Sequence, residues 1–256
     1  SDTTGVALAV ALNADECQIY TDVDGIFTTD PRVCSKARLL KEVSFEEMLE
    51  LSSSGAKVLQ LRSVEYASKF NLPIRVLSSF NEGDGTLVQE EKNIMERPIV
   101  SGISSIDTEA KLTIRGVPDV PGIAAKILSP ISEAGIEVDV IVQNISADNC
   151  TDFTFTVDKG DAENAKEILQ KTSASLGGGL VEVDHDIAKI SVVGRGMRAH
   201  AGVASKMFQA LAKDEINISM ITTSEIKISV VIKESEMKKA VTALHNAFDL
   251  DKELDS

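Results

Sequence analysis

The sequence has little of several residue types, and each shortage argues against a class of protein. Tryptophan is absent, aromatic residues make up 4% of the 256 residues, and the only cysteines are Cys17, Cys34 and Cys150. Three scattered cysteines cannot build a disulfide framework or a metal knuckle, and an odd number is typical of a reducing compartment. The sequence therefore predicts a cytoplasmic protein.

Positive charge and long apolar runs are also scarce. Lysine and arginine number 26 against 40 aspartates and glutamates, which gives a net charge of −14. This balance repels a polyanion, no basic stripe offsets it, and no apolar run approaches the ~20 residues of a membrane helix. We therefore expect no nucleic-acid or membrane partner, while small charged metabolites stay open as ligands. The chain is long enough for two or three domains.

Histidine and an initiator methionine are the last shortages. His185, His200 and His245 are far apart and lack ligand spacing, so we assign them no metal site. The chain starts at Ser1 without a signal peptide, directly before a helix pattern. We therefore expect it to be a fragment of a longer protein.

The most regular feature that is present is an internal repeat. Residues 112–144 match the segment 80 positions later without a gap, and seven residues are identical. The identities are Arg115 with Arg195, Gly116 with Gly196, Gly122 with Gly202, Ala124 with Ala204, Lys126 with Lys206, Ile136 with Ile216, and Ile141 with Ile221. Each copy is predicted as a strand, a turn, an amphipathic helix and a second strand. A duplicated small α+β module of this kind is typical of sensing or binding.

Counting strands suggests how the two copies are connected. The first copy is complete as βαββαβ, with strands at 111–117, 136–145, 151–157 and 180–184 and helices at 123–134 and 162–173. The second has strands at 189–193, 217–222 and 226–232 and helices at 203–213 and 235–248, but no closing strand, because its tail is acidic. Residues 99–106 are β-prone and have no partner of their own. We predict that they close the second sheet, so that the first module is inserted within the second.

The first hundred residues follow an alternating α/β pattern. Helices are predicted at 3–14, 44–53 and 57–71 and strands at 18–23 and 74–79, and Ser44-Phe45-Glu46-Glu47 forms a capping box. The predicted organisation is an α/β part at 1–80, a linker at 81–97, a closing strand at 98–106, modules at 107–185 and 186–250, and an acidic tail at 251–256.

Candidate ligand-binding residues of the α/β part have ordinary structural explanations as well. Asp22, Asp24 and Asp30 surround the end of a strand, where parallel α/β sheets bind ligands, yet acidic turns are equally common. Lys57 and Arg32 could reach phosphate oxygens, although a helix lysine is more often a solvated charge. These alternatives stay open at this point.

A glycine pattern in the second copy could be mistaken for a nucleotide site. The motif Gly194-Arg195-Gly196-Met197-Arg198-Ala199 follows a predicted strand, and Glu225 could act as a ribose ligand. The chain ends too soon after Glu225 for further βαβ units, and the first copy has Ile114-Arg115-Gly116-Val117-Pro118-Asp119 at the same place. We therefore rank a dinucleotide fold well below the repeat interpretation.

Several motifs resemble a known enzyme family. The α/β part resembles the C-terminal part of the aspartate kinase catalytic domain, of the amino-acid kinase superfamily, in Ser1-Asp2-Thr3-Thr4, Tyr20-Thr21-Asp22-Val23-Asp24-Gly25-Ile26-Phe27-Thr28-Thr29-Asp30-Pro31-Arg32, Ser44-Phe45-Glu46-Glu47-Met48 and Gly55-Ala56-Lys57-Val58. The repeats resemble paired ACT regulatory modules in Val120-Pro121-Gly122-Ile123-Ala124, Val142-Gln143-Asn144, Thr151-Asp152-Phe153-Thr154-Phe155 and Ile221-Thr222-Thr223-Ser224-Glu225-Ile226. The fold this implies is part of a kinase α/β sheet followed by two ferredoxin-like βαββαβ modules of the α+β class.

The resemblance implies ATP-dependent phosphorylation of the side-chain carboxylate of L-aspartate, with Mg²⁺, on the route to lysine, threonine and methionine. By position, Ser1 would hold aspartate and Asp2 would organise the catalytic centre. The ATP site would be lined by Thr21, Asp22, Phe27, Arg32, Lys57 and Val58. Phe27 departs from the family's common tyrosine, so the ring can pack on a nucleotide but cannot donate a hydrogen bond.

For the repeats, the resemblance implies a site for lysine, threonine or both between the modules. The N–H groups at the start of the first helix can bind an amino acid's carboxylate, and Asp119 can bind its ammonium group. Effector contacts implied by position are Asp119, Ala124, Glu137, Val138, Asp139 and Gln143 in the first copy, and Ala204, Asn217, Ile218, Ser224 and Glu225 in the second. Taken singly, Gln143 and Asn217 could equally be ordinary strand-edge or turn polarity.

The family's phosphate loop and most of its aspartate contacts precede the part that this chain resembles. Because phosphoryl transfer needs cations and donors all around the moving phosphate, we expect the chain alone to be inactive. We expect a homodimer formed through the ACT modules, together with full-length catalytic subunits. Two alternatives are a free-standing amino-acid sensor or regulatory subunit, and a purely structural dimerisation module.

Overall fold

The computed structural model describes residues 1–91, 99–145, 150–177, 179–198 and 202–252. The chain divides into two compact units: unit 1 comprises Ser1–Ile106 and Lys189–Ser256, and unit 2 comprises Asp107–Ala188. His200, the end of the predicted linker at 92–97 and the end of the acidic tail at 253–256 lie outside the described residues. Among the described residues, no helix combines the length and apolarity needed to cross a bilayer.

Unit 1 begins with a mixed α/β layer. Its elements are α1 (Asp2–Ala11), β1 (Cys17–Thr21), β2 (Glu42–Ser44), α2 (Phe45–Ser53), α3 (Leu61–Phe70), β3 (Ile74–Ser78) and β4 (Thr86–Gln89), followed by β5 (Gly102–Ile106). The first four strands form one sheet in the order β1-β3-β4-β2, in which β3 runs parallel to β1 and antiparallel to β4. Ile74, Val76 and Val88 are fully buried in its core.

The structure corrects two predictions in this part. Residues 86–89, which we assigned to a linker, form β4, and Thr86 is fastened there because its Oγ1 donates to Leu40 O at 2.6 Å. A four-residue strand among Gly, Asp and Glu residues is too short to show a period. Residues 57–60, predicted to be helical, precede α3, which begins at Leu61 with Gln60 as its N-cap.

The predicted capping box is confirmed at the start of α2. Glu47 N donates to Ser44 Oγ at 3.2 Å, and Glu47 Oε2 accepts from Ser44 N at 3.2 Å and from Ser44 Oγ at 2.8 Å. These bonds satisfy helix N–H groups that would otherwise be unpaired, an effect of about 1 kcal/mol. The helix then buries Phe45, Met48 and Leu51. Its opposite side carries the acids Glu46 and Glu50.

Unit 2 is a complete βαββαβ module. It comprises β6 (Glu109–Pro118), α4 (Ile123–Glu133), β7 (Ile141–Ile145), β8 (Cys150–Asp158), α5 (Ala162–Ser175) and β9 (Leu180–Asp184). The sheet is antiparallel in the order β7-β8-β6-β9, and its core contains Leu112, Ile114, Phe153 and Phe155. The predicted strand 136–145 has register pairs only from Ile141, although Asp139 and Val140 already exchange backbone hydrogen bonds with Thr156 of β8.

The second module belongs to unit 1 and includes β5. Its other elements are β10 (Ile187–Val193), α6 (Val203–Lys213), β11 (Met220–Thr223), β12 (Lys227–Lys233) and α7 (Met237–Ala247). The sheet order is β11-β12-β10-β5, and β5 pairs antiparallel with β10 from Lys189↔Ile106 to Val193↔Gly102. The predicted insertion of the first module within the second is therefore confirmed.

The two modules share the local geometry that begins their first helix. Gly122 and Gly202 are the N-caps of α4 and α6, with φ of 88° and 107°. Both values lie in the left-handed region, which favours glycine over residues with a side chain. The repeated glycine therefore allows the left-handed turn that precedes the first helix of each module.

His245 is a buried titratable group in the second module. It is 0% exposed on α7, and its Nε2 lies 2.9 Å from Thr28 Oγ1. Burial lowers the pKa of His245; Asp251 opposes that shift, whereas Lys36 and Arg38 add to it. The folded chain therefore favours the neutral ring.

We expect unit 1 to lose stability in mild acid because of His245. A depressed folded-state pKa contributes stability that is present above the unfolded pKa of about 6.5 and is lost as pH falls through the folded value. Urea unfolding between about pH 8 and pH 5 should show a falling midpoint that is flatter in His245→Gln. His185→Gln is the control, because that side chain is 48% exposed. An unchanged slope in His245→Gln would contradict the assignment.

Candidate functional site

The C-terminal ends of β1 and β3 gather polar groups at one edge of the sheet. Thr21 is the register partner of Ser78, and Ser79 N donates to Thr21 O at 2.7 Å. In the loops beyond, Asn81 Nδ2 donates to Asp24 Oδ1 at 2.8 Å. Ligands of parallel α/β sheets bind at this edge. Thr21 was a candidate from the sequence, whereas Asn81 was not, because only the parallel pairing of β1 and β3 brings its loop to the same place.

Arg32 lies at the same end of β1 and is held by Asp30. Its Nη2 and Nε approach the Asp30 carboxylate at 2.8 and 3.1 Å. The hydrogen bonds from Arg32 lower the pKa of Asp30 more than burial raises it, and Asp22 is among the groups that raise the pKa of Arg32. The Arg32 side chain is 89% exposed, so its outer face is accessible to an anion. Asp22 and Arg32 therefore interact electrostatically, and both belong to the set that the resemblance names for the nucleotide site.

A second group forms where α1 begins. Asp2 Oδ2 accepts from Gln60 N at 3.4 Å, and Ser1 Oγ lies 3.3 Å from Asp2 Oδ1. Lys57 and Val58 belong to the turn before Gln60, where Lys57 is exposed and Val58 is half-buried. The predicted substrate residues and the 57–58 segment are therefore neighbours.

Phe27 lies in the connection between β1 and β2. It makes an isolated antiparallel bridge with Leu39, and its ring is half-buried between the buried residues Ile26 and Thr28. A partly exposed ring fixed by its backbone can pack on a planar ligand. The position of Phe27 therefore suits packing against a nucleotide base, and its phenyl ring has no polar atom that could form a hydrogen bond.

In unit 2 the predicted effector residues occupy two places. Asp119 is exposed just before Gly122, and Ala124 lies in the first turn of α4. The others follow the segment into β7: Glu137, Val138, Asp139 and Gln143. Asp139 N donates to Thr156 O at 3.1 Å, which anchors this segment, and Gln143 is exposed on the edge strand β7.

The second module repeats this arrangement within unit 1. Ala204 lies in the first turn of α6, and Asn217 and Ile218 precede β11. Ser224 and Glu225 form the turn between β11 and β12, which is closed by Ser224 N donating to Lys227 O at 2.8 Å. The structure therefore places both sets at equivalent helix starts and equivalent edges of their own sheets.

A cluster around α2 was missed by sequence analysis. Glu47 Oε1 accepts from Ser101 Oγ at 2.5 Å and from Arg195 N at 3.3 Å, in addition to the capping-box bonds. The cluster also contains the ion pairs Arg195–Glu46 at 2.5 Å, Arg195–Glu91 at 2.6 Å and Lys227–Glu50 at 2.7 Å. We call these residues the α2 cluster. The spacing of Glu46 and Glu50 on one helix face was the available signal, because two acids at i and i+4 repel each other unless cations approach.

The glycine pattern after β10 has a structural explanation. A Cβ on Gly194 would lie 2.4 Å from Ile99 O, and one on Gly196 would lie 2.4 Å from Ile99 Cα. A 3₁₀ turn at Arg195–Arg198 follows, where a dinucleotide fold would open a long helix. These glycines therefore permit close approach of two backbone segments. Within the described ranges, no group of three or more His, Cys, Asp or Glu side chains could hold a metal ion.

Comparison with family models matches each part of this architecture. Residues 1–78 match the amino acid kinase family, and residues 112–176 and 190–248 each match an ACT domain. The chain is 64% identical over 253 residues to the aspartokinase of Pseudomonas aeruginosa. This match covers 98% of the chain but only 61% of the Pseudomonas protein.

A solved regulatory subunit of aspartate kinase from Thermus thermophilus is matched over nearly its full length. It is 41% identical with a TM-score of 0.56, and the match covers 99% of that subunit and 59% of this chain. The chain belongs to the aspartokinase family. The expected resemblance is confirmed, as is the expected fold of a kinase segment joined to two ACT modules.

The aspartokinase fold also extends to Escherichia coli aspartokinase III. Its complex with aspartate and ADP is 28% identical to this chain with a TM-score of 0.82, covering 96% of this chain and 55% of that one. Its complex with lysine and aspartate has a TM-score of 0.77 at 28% identity, covering 97% and 55%. The chain therefore spans little more than half the length of such aspartokinases.

Proposed function

We propose that this chain is the regulatory portion, with part of the catalytic domain, of an enzyme that phosphorylates L-aspartate. The observation that carries the proposal is the nested architecture, in which one ACT module shares a compact unit with the kinase segment. The complete enzyme would transfer the γ-phosphoryl group of ATP to the side-chain carboxylate of aspartate and release ADP. The complex of Escherichia coli aspartokinase III with aspartate and ADP supports this substrate and this product.

The kinase segment would contribute positioning and charge. At the start of α1, Ser1 would hold the substrate aspartate and Asp2 would help to organise the catalytic centre, while Arg32 and Lys57 would present cations to phosphate oxygens. Thr21, Asp22, Phe27 and Val58 would line the remainder of the nucleotide site. The exposed cations and the strand-end groups fit ATP, which in kinases arrives with Mg²⁺ to neutralise charge on the phosphates.

We expect the 256-residue chain alone to have no kinase activity. It spans 61% of its Pseudomonas relative, and part of a phosphate cradle cannot stabilise the transferring group on all sides. The assay is aspartate-dependent ADP release at saturating ATP and Mg²⁺, compared with a polypeptide extended to the relatives' length. Turnover by the chain alone would show that these residues suffice, and an inactive extended polypeptide would contradict the proposed reaction.

The ACT modules would bind lysine, threonine or both as feedback effectors. The support is the pairing of an open helix start with a nearby carboxylate: Gly122 exposes the first turn of α4, and Asp119 lies three residues earlier. Such a pair can bind both charged groups of an amino acid. The lysine complex of aspartokinase III favours lysine as the first ligand to test.

We expect Asp119→Ala to weaken amino-acid binding by about 1.5 to 3 kcal/mol, the scale of a charge-assisted hydrogen bond, which is roughly a 10- to 150-fold rise in Kd. Calorimetry with lysine and with threonine is the measurement. Asp107→Ala, which removes another exposed carboxylate, is the matched control. Equal affinity in Asp119→Ala and in the parent chain would remove Asp119 from the site.

A regulatory subunit without kinase activity of its own is the second candidate, favoured by the match to the Thermus subunit. Both candidates involve a cytoplasmic protein that self-associates through its ACT modules. Ile141 on β7 and Ile221 on β11 support such pairing, because these equivalent residues on edge strands are 50% and 47% exposed. Mixing the chain with a separately expressed catalytic subunit would distinguish a partner subunit from a segment of one polypeptide.

A further inference from the structure

The repeated arginine has different partners in the two modules. In unit 2, Arg115 is neutralised within its own sheet by Asp152 on β8 at 3.2 Å and Glu182 on β9 at 2.9 Å. In the second module, the equivalent Arg195 pairs instead with Glu46 and Glu91, which lie outside that module's βαββαβ core.

Strand register identifies what replaces each acid. Asp152 is the register partner of Asn144, and Lys227 bonds to Ser224, which is the repeat equivalent of Asn144. Lys227 therefore stands at the position of Asp152, and a negative charge has become positive. The second acid, Glu182, is the register partner of Thr113. Gly102 pairs with Val193, which is the repeat equivalent of Thr113, so Gly102 stands in place of Glu182.

The second module therefore lacks both acids that neutralise this arginine in the first, and it gains a second cation. Arg195 and Lys227 both contact α2, whose side chains Glu46 and Glu50 would otherwise repel each other across one turn. Lys227 and Glu50 are only 23% and 26% exposed, so solvent screens their pairing less than that of a typical surface ion pair. The backbone at position 102 also approaches Thr28 closely, because a Cβ on Gly102 would lie 3.0 Å from Thr28 O.

The α2 cluster joins the two segments that matter for the proposed function. Lys227 closes the turn that contains Ser224 and Glu225, and Gly194 N donates to Ile226 O at 2.9 Å, so this turn is bonded to the residue preceding Arg195. At the other side, α2 ends at Ser53, shortly before Lys57 and Val58. A displacement of the turn would move both cations, and through them α2.

We propose that Lys227 and Arg195 are positioning residues that hold α2, and through it the 57–58 segment, in register with the turn at Ser224 and Glu225, so that effector occupancy at this turn changes nucleotide binding. This inference rests on the proposed aspartate kinase function and assigns the contacts that carry its regulation. A ligand can shift such an equilibrium only if it binds the two positions of the turn with different affinity.

The experiment uses the kinase-competent polypeptide that contains this chain, with lysine as the probe. Lys227→Met and Glu50→Gln should each weaken inhibition by lysine about tenfold and raise KM for ATP several-fold, with a smaller change in kcat, because the pair acts on position rather than on chemistry. The charge exchange Lys227→Glu with Glu50→Lys should restore both values toward the parent. Lys252→Met is the matched control, because Lys252 pairs with Asp249 and is 70% exposed.

Amide hydrogen exchange on the 256-residue chain provides a measurement that needs no activity. Lysine should change the protection of α2 in the parent chain, and Lys227→Met should abolish that change while lysine still binds in calorimetry. Unaltered lysine inhibition and an unaltered KM for ATP in both single variants, or a charge exchange that restores neither, would overturn the inference. A parent enzyme that neither binds lysine nor phosphorylates aspartate would instead refute the proposed function. In that case the positioning role can still be tested, because equal amide protection of α2 in the parent chain and in Lys227→Met would overturn it.

Discussion

A chain in which residues 107–188 are replaced by a two-residue Asn-Gly turn is expected to fold as unit 1. Ile106 and Lys189 are opposite each other in the antiparallel β5–β10 pair, so a tight hairpin turn can join them. The excision removes no strand from the sheet β11-β12-β10-β5. Circular dichroism and urea unfolding should show one cooperative transition with a midpoint close to that of unit 1 in the parent chain.

Cutting the chain before residue 186 should have the opposite result. The fragment 186–256 lacks β5, so the fully buried strand β10 would expose an unpaired edge. We expect this fragment to aggregate or to remain unfolded, whereas residues 107–188, which contain their own core, should fold alone. A folded, monomeric 186–256 fragment would contradict the dependence of the second module on β5.

Gly194→Ala is expected to destabilise unit 1 by about 2 to 3 kcal/mol, at the upper end of overpacking substitutions. The new Cβ would lie 2.4 Å from Ile99 O and 2.6 Å from Val100 Cα, and backbone atoms cannot rotate away as side chains do. Either the segment leading into β5 or the turn carrying Arg195 must shift. Chemical denaturation measures the change.

Gly5→Ala is the control for this substitution. Gly5 lies inside α1, and a Cβ there would meet nothing within 4 Å. Alanine should stabilise the helix by about 0.5 to 1 kcal/mol because glycine loses more backbone entropy on folding. If both variants changed stability in the same direction, the close approach of Gly194 to Ile99 would not be the cause.

Elements with a strong local signal could be predicted from the sequence. The capping box at Ser44 and Glu47 requires only residues three apart, and the helix α4 follows an apolar stripe that starts immediately after Gly122. The pairing of β5 in the sheet of the second module was predictable as well, because counting strands left one sheet without a closing strand and one β-prone segment without a partner. Each inference uses either local sequence or a global count.

The misses involve contacts between distant residues. Glu47 is a capping residue by its local sequence, but Ser101 and Arg195 reach its second oxygen only after the chain has folded. The strand β4 is stabilised through Thr86 and its neighbours rather than by its own periodicity. The candidate nucleotide residues were named by resemblance, and two of them, Lys57 and Val58, lie in a turn before α3 where the sequence predicted a helix.

The nesting of unit 2 between β5 and β10 bears on the order of folding events. In unit 2, Lys111 near its beginning is the register partner of Asp184 near its end, so folding of this segment brings its two ends together. The entropic cost of closing the long loop between β5 and β10 is therefore lower when these strands meet, because folding of unit 2 has already brought its ends together. Nascent chains should therefore acquire protease resistance first in the inserted module, and mutations that slow its folding should delay the remainder of the molecule even where they touch none of it.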